Sequence, residues 1–271
     1  MEENNQKETN VKATIDAVTG LVQAVPIYQD TLQPAAKQIG QTLETVSKTV
    51  NIALAPIKAL VWGYEKIESY INLRVSDKLK NVPEENIITP KPEIAGPAVE
   101  ALRFVGHDEN LRELYANLLA NAMDKETIHE AHPGFVEILK NISSDEAILL
   151  QAFLRKQNYP LLDIRAKAPE TQGYVVITSN FSHLNKISDV ENPDLIPSYL
   201  DNLCRLGILE IPALTKITVP NTYEILENDI SLDNVKEQIL DQNRTVELSR
   251  KMVKVTNFGN QFLKNVVLDK Q

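Results

Sequence analysis

Only one cysteine, Cys204, occurs among the 271 residues. An intrachain disulfide is therefore excluded, and a cysteine-based zinc site has no ligand set. A reducing, cytoplasmic setting is the expectation. Basic charge is also short: 28 Lys and Arg stand against 37 Asp and Glu, a formal net charge of -9. That balance argues against a protein that coats nucleic acid through bulk charge, because phosphate binding rests on clustered Lys and Arg. It leaves room for a small local basic face. Phosphate-cradling glycine loops are missing, with neither G-x-x-x-x-G-K-[ST] nor G-x-G-x-x-G in the chain. H-E-x-x-H and G-x-S-x-G are missing too. The opening stretch MEENNQKETN is polar and acidic and lacks the basic and apolar regions of a signal peptide. A membrane span needs about 20 apolar residues. The most apolar stretch, Ile52 to Trp62, is closed off by Lys48 on one side and Glu65 on the other.

What is present is a soluble globular balance, 43% hydrophobic and 24% charged. The length suits one large domain or two ordinary ones. Residues 1–14 read as a mobile polar tail. Residues 15–140 read as a helical domain. Its clearest stripe runs through Val46, Val50, Leu54, Ile57, Val61, Tyr64, Ile67 and Ile71 at helical spacing. Pro56 should kink that helix locally. Leu54, Ile57, Val61 and Trp62 carry two readings: a buried helix–helix seam or protein contact, and an amphipathic segment that meets membrane on activation.

Pro83, Pro90, Pro92 and Pro97 fall close together, and proline biases the residue before it toward extended structure. An extended connector over about 82–96 is expected, with Pro97 in the first turn of a helix that ends near Gly106. Asp108 should start the next helix, buried through Leu111, Leu114, Tyr115, Leu118, Leu119, Ala122 and Met123. Residues 141–271 change character. Ser144 is the expected N-cap of a helix. LLDIRAK and GYVVITS read as strands, NPDLIPSYLDNLCRLGILEI as a helix ending at Gly207 and running into a strand, and VKEQILDQNR as a helix. KMVKVTNFGNQFLKNVV reads as a strand, a turn over 256–259 and a last helix. The fold class expected is mostly α: a helical N-terminal part plus a C-terminal α+β unit like a winged helix.

The chemistry is concentrated in HEAHPGFVEIL, residues 129–139. His129 and His132 could supply two metal ligands, with Asp124, Glu126 or Glu130 adding oxygens. Pro133 argues otherwise, since the backbone before it should leave the helix and the two imidazoles need not face one way. The expected role of His132 is structural, at the head of the GFVEIL helix. Arg244, Arg250, Lys251 and Lys254 form the densest basic patch, read either as a phosphate-contacting wing or as a solvated strand. Cys204 is expected to be a small buried hydrophobe. His107 is expected in a turn, and His183 in a surface helix or a turn.

Several stretches together resemble a bacterial family, Abi-alpha, linked to abortive infection against phage. They are PAAKQIGQTLETVSKTVNIALAPIKALVWGYEKI, LKNVPEENIITPKPEIAGPAVEALRF, ELYANLLANAMD, AHPGFVEILKNISSDEAILL and VTNFGNQFL. The resemblance implies a role in antiphage defence and carries no catalytic motif to transfer. The expectation is a non-enzymatic factor acting through a protein partner or self-association. Membrane action and weak nucleic-acid binding are the alternatives. No cofactor, metal or small-molecule substrate is indicated.

Overall fold

The computed structural model describes residues 50–52, 64–169 and 173–270. Helices come first: α1 (Tyr64–Lys78), α2 (Pro92–Val105), α3 (Glu109–Ala122), α4 (Gly134–Leu139) and α5 (Ser144–Arg155). There follow β1 (Asn158–Lys167), β2 (Tyr174–Phe181), α6 (Ile196–Arg205), β3 (Leu209–Glu210), α7 (Glu224–Glu227), α8 (Asp233–Asp241) and β4 (Thr245–Val255). The last helix, α9 (Asn257–Phe262), runs into one π-helical turn, Leu263–Val267. The chain is thus mostly α with a smaller β component.

Local chemistry places several of these boundaries. The Asp108 side chain accepts the Leu111 N–H at 3.0 Å and starts α3. All the apolar positions expected on its inner face, Leu111 through Met123, are buried. The cap of α5 is Ser143, one residue before the expected Ser144. Ser143 and Glu146 have the spacing of a reciprocal capping box, and the Ser143 N–H reaches Glu146 Oε2 at 2.7 Å. Ser144 instead accepts from Asn110 at 2.8 Å and reaches Asp108 at 3.2 Å, tying the starts of α3 and α5 together.

The connector is shorter than expected. A 3₁₀ turn occupies Glu84–Asn86, and Ile87 bridges to Asp124. The helix then starts at Pro92, not Pro97, and Pro97 lies inside it. An interior proline costs about 3 kcal/mol through a lost hydrogen bond and a ring clash. Burial of Ile94, Ala95, Ala98, Val99 and Leu102 on α2 offsets it. Packing, which a local reading does not include, decides this boundary.

Among the described residues, four antiparallel strands form one sheet in the order β2-β1-β4-β3. The β1–β4 ladder is regular from Asn158↔Lys254 to Lys167↔Thr245. The β1–β2 ladder is not. Between Leu162↔Phe181 and Ile164↔Thr178, Asp163 faces two residues, Ser179 and Asn180, and Ile177 is a second extra residue. Asn180 takes a left-handed φ of 54°, which asparagine tolerates better than most side chains. The expected turn over 256–259 is the first turn of α9, capped by Thr256, whose Oγ1 accepts the Gly259 N–H at 2.8 Å.

The main core is continuous from α1 (Ile71, Val75) through α3 and α5 to Val253 and Val255 of β4 and Phe262, Leu263 and Val266 beyond it. A second cluster, Ile164 and Ala166 with Leu232 and Ile239, lies between the sheet and α8. A third joins Leu162 to Tyr223 and Leu226.

Candidate functional site

His129 and His132 are separated by the turns after α3 and do different things. His129 is exposed, with Nε2 3.8 Å from Glu130. Glu130 is taken up by Lys264 at 2.8 Å, and its carbonyl accepts from Gln261 at 2.7 Å. His132 Nδ1 accepts the Gly134 N–H at 3.0 Å, at the head of α4. Its ring packs against Phe135 and edge-on against Phe258, at centroid distances of 5.7 and 5.4 Å. Nδ1 is thus committed to the backbone. Among the described residues no three His, Cys, Asp or Glu side chains gather as a metal cage.

The basic residues of β4 do not form a stripe. Arg250 makes a two-pronged pair with Glu227 of α7, at 2.5 and 2.8 Å, and lies over the Tyr223 ring. That pair holds the Glu227 carboxyl below its ordinary range. Lys251 bonds Asp163 and the Asn180 side-chain oxygen, both at 2.7 Å. Lys254 pairs with Glu210 at 2.8 Å. Arg244, just before β4, has no ion pair among the described residues. Leu54, Ile57, Val61 and Trp62 lie outside the described residues. No helix among the described residues is long and apolar enough to cross a membrane.

The β2 bulge borders a cleft of about 420 Å³, lined in part by Asn180, His183, Lys186, Asp194, Asp229 and Ser231. His183 Nε2 sits 2.6 Å from Asp229 Oδ2, and Lys186 Nζ reaches the same oxygen at 2.8 Å. The other Asp229 oxygen accepts from the Ser231 N–H and hydroxyl at 2.9 and 2.7 Å. The Lys186 contact, followed by those from Ser231, drives the Asp229 carboxyl far below its ordinary range. In this arrangement the serine hydroxyl serves the carboxylate and not the imidazole. The group ties the turn at Leu184–Lys186 to the segment before α8, and the Ser231 hydroxyl bonds Asp229 in it. Sequence reading placed His183 in a surface helix or a turn; it is the residue before the 3₁₀ turn Leu184–Lys186, and its partner 46 positions away was missed. Cys204 is half-buried, and burial pushes its thiol up to about 11, the inert end of thiol chemistry.

The two edges of the sheet differ sharply. β3 is two residues long, and its Glu210 is paired with Lys254 of β4. β2 carries no charged residue from Tyr174 to Phe181. Tyr174, Val175, Val176 and Ile177 are 50, 53, 43 and 46% exposed. A strand edge of this kind is a template for pairing with another chain.

Two asparagines that sequence reading passed over join the helical part to the end of the chain. Asn117 donates to the Val266 carbonyl at 2.9 Å, and Asn121 to the Asn265 carbonyl at 2.8 Å, all buried. They sit one turn apart on α3, inside ELYANLLANAMD. Their available signal was an amide pair within an apolar run. Phe135 of α4 meets Phe258 and Phe262 of α9 at 5.3 Å in each case. Three of the resembling stretches, around α3, α4 and α9, therefore converge on one junction. The family model described as abortive infection alpha matches residues 63–266. The chain belongs to the abortive infection alpha family. Membership of that family ties it by name to abortive infection, and the matched range holds every element from α1 to α9 and all but the last residue of the π turn. Among solved structures, this family member is similar to an uncharacterised protein from the hydrocarbon-degrading marine bacterium Alcanivorax borkumensis SK2. The identity is 19%, over 50% of this chain and 93% of that one, with a TM-score of 0.35. No curated protein matches.

Proposed function

We propose that this chain is a non-enzymatic bacterial antiphage factor that works by protein contact, through a protein partner or through self-assembly. Family membership supports abortive infection as the setting. The observation that carries protein contact is the β2 edge, where four successive apolar residues and a row of backbone donors and acceptors face solvent. The non-enzymatic part is supported by the way the polar groups of the cleft are used, since His183, Lys186 and Ser231 all converge on Asp229. In this reading the C-terminal α+β unit resembles a winged helix in its elements but spends Arg250, Lys251 and Lys254 on its own carboxylates.

The test is phage challenge of cells producing wild type or Val176→Lys. Val176 is half-exposed, so the charge is tolerated by the fold and disfavoured only in a paired edge. Loss of protection at unchanged melting temperature and expression is expected. Full protection by a folded Val176→Lys protein would overturn the assignment of function to this edge.

A further inference from the structure

We infer that β2 pairs antiparallel with β2 of a second copy of the chain, about a two-fold axis at Val175. This rests on the protein-contact reading above and names the partner.

The first observation is the asymmetry of edge protection. Natural sheets blunt their edges with short strands and charge. β3 is blunted in both ways, by its two-residue length and the Glu210–Lys254 pair. β2 carries no charge and no bulge between Tyr174 and Val176, where its ladder to β1 is regular, and its bulges protect only the part of the edge beyond Val176. The second observation concerns what could cover such an edge. Tyr174 and Val176 point to one face and Val175 to the other, and all three are about half-exposed. An occupant must be a strand, apolar on both faces and uncharged. Tyr174–Ile177 of a second copy meets each requirement. An antiparallel strand is also complementary to itself, so pairing closes as a two-fold dimer and leaves no growing end.

The third observation sets the register. The bulges at Ile177 and at Ser179–Asn180 bend the strand and end the regular stretch, which starts at Tyr174, the first residue of β2. The usable ladder is centred on Val175. With the axis there, Val175 stands opposite its own copy and Tyr174 opposite Val176. Aromatic with β-branched is a favourable cross-strand pair. The Tyr174 ring is already positioned by Arg165, 4.1 Å from its centroid. The two four-stranded sheets would become one of eight. So short a ladder buries less than the roughly 1,200 Å² of a standard stable interface, so the dimer is weak and reversible.

Sedimentation of the full chain over a concentration series tests this. The monomer is 30.4 kDa. The average mass should rise toward twice that value on approaching concentrations on the order of 100 μM, where weak interfaces populate. Because Val175 faces itself, Val175→Lys and Val175→Glu should each remain monomeric through like-charge repulsion. An equimolar mixture of the two should dimerise again. Wild type that stays monomeric throughout overturns the inference. So do charge variants that still dimerise alone, and a mixture that fails to recover. The proposed function fails separately: monomeric Val175→Lys that protects fully against phage removes the functional role and leaves the dimer standing. A protective wild type that never dimerises does the reverse.

Discussion

Glu113 of α3 grips Arg74 of α1 through two parallel bonds, Nε at 2.9 Å and Nη2 at 2.8 Å. The same carboxylate accepts the Tyr70 hydroxyl at 2.8 Å and lies 3.4 Å from Lys78 Nζ. Tyr70, Arg74 and Lys78 follow one another at a spacing of one helical turn, so one acidic residue holds one whole face of α1. Lys78 is 3% exposed and is also bonded to Asp269.

Burial alone would raise the Glu113 carboxyl, but the hydrogen bonds from Arg74 and Tyr70 and the charge on Lys78 outweigh it and bring it down to about 2. A depressed carboxylate stabilises the fold above its unfolded value, near 4.3, and loses that contribution as pH falls toward the folded value. Acid unfolding should therefore steepen below about pH 4.5. Glu113→Gln should lower stability by about 1–3 kcal/mol at neutral pH and flatten the acid limb. Thermal melts from pH 7 to 2 check this, and an unchanged acid limb in the variant would refute the hub.

Asn117 and Asn121 are donors to carbonyls in the π turn. Replacing Asn117 by Leu leaves the buried Val266 carbonyl without its partner, a cost of about 1–3 kcal/mol. Hydrogen exchange should then speed up across Leu263–Val267 more than across β1. Equal protection in the variant and wild type would show that the amide contributes nothing there.

His132→Ala removes a side-chain acceptor at the head of α4 and two ring contacts, at an expected cost of about 1 kcal/mol. Purified wild type should carry less than one zinc per chain. A stoichiometric metal that disappears in His132→Ala would replace the capping role with a ligand role.

Ion pairing of Arg250, Lys251 and Lys254 leaves little free positive charge on β4. Binding to duplex DNA at physiological salt should be weak, and Lys254→Ala should change it little. Any residual affinity should fall steeply with added salt, because each phosphate contact releases counterion. Tight, salt-resistant binding would contradict this expectation.

The reading of the sequence was most accurate where the determining interactions span one or two helical turns. Apolar spacing along Leu111–Met123 located a buried face, Asp108 marked its start, and Gly207, at φ 76°, ended α6. The stretches LLDIRAK and GYVVITS, read as short strands, are parts of β1 and β2. Two local signals were misjudged: Ser143, and not Ser144, has glutamate at the capping-box spacing, and Pro92 opens α2.

By itself, then, the sequence determined a helix-rich chain with a later β element, the Asp108 cap of α3, and no intrachain disulfide. Those follow from periodicity, capping and cysteine count, all properties of neighbouring residues. Only the tertiary structure decided that Pro97 sits within a helix, because burial of α2 outweighs the backbone cost. It alone brought Glu113 to α1, Asp229 to His183, and the asparagines of α3 to the π turn. Each of these joins residues tens of positions apart, where no spacing rule operates. The exposed edge of β2 is of the same kind. The sequence marked it only as a strand, and its apolar residues face solvent because the order β2-β1-β4-β3 leaves that strand outermost.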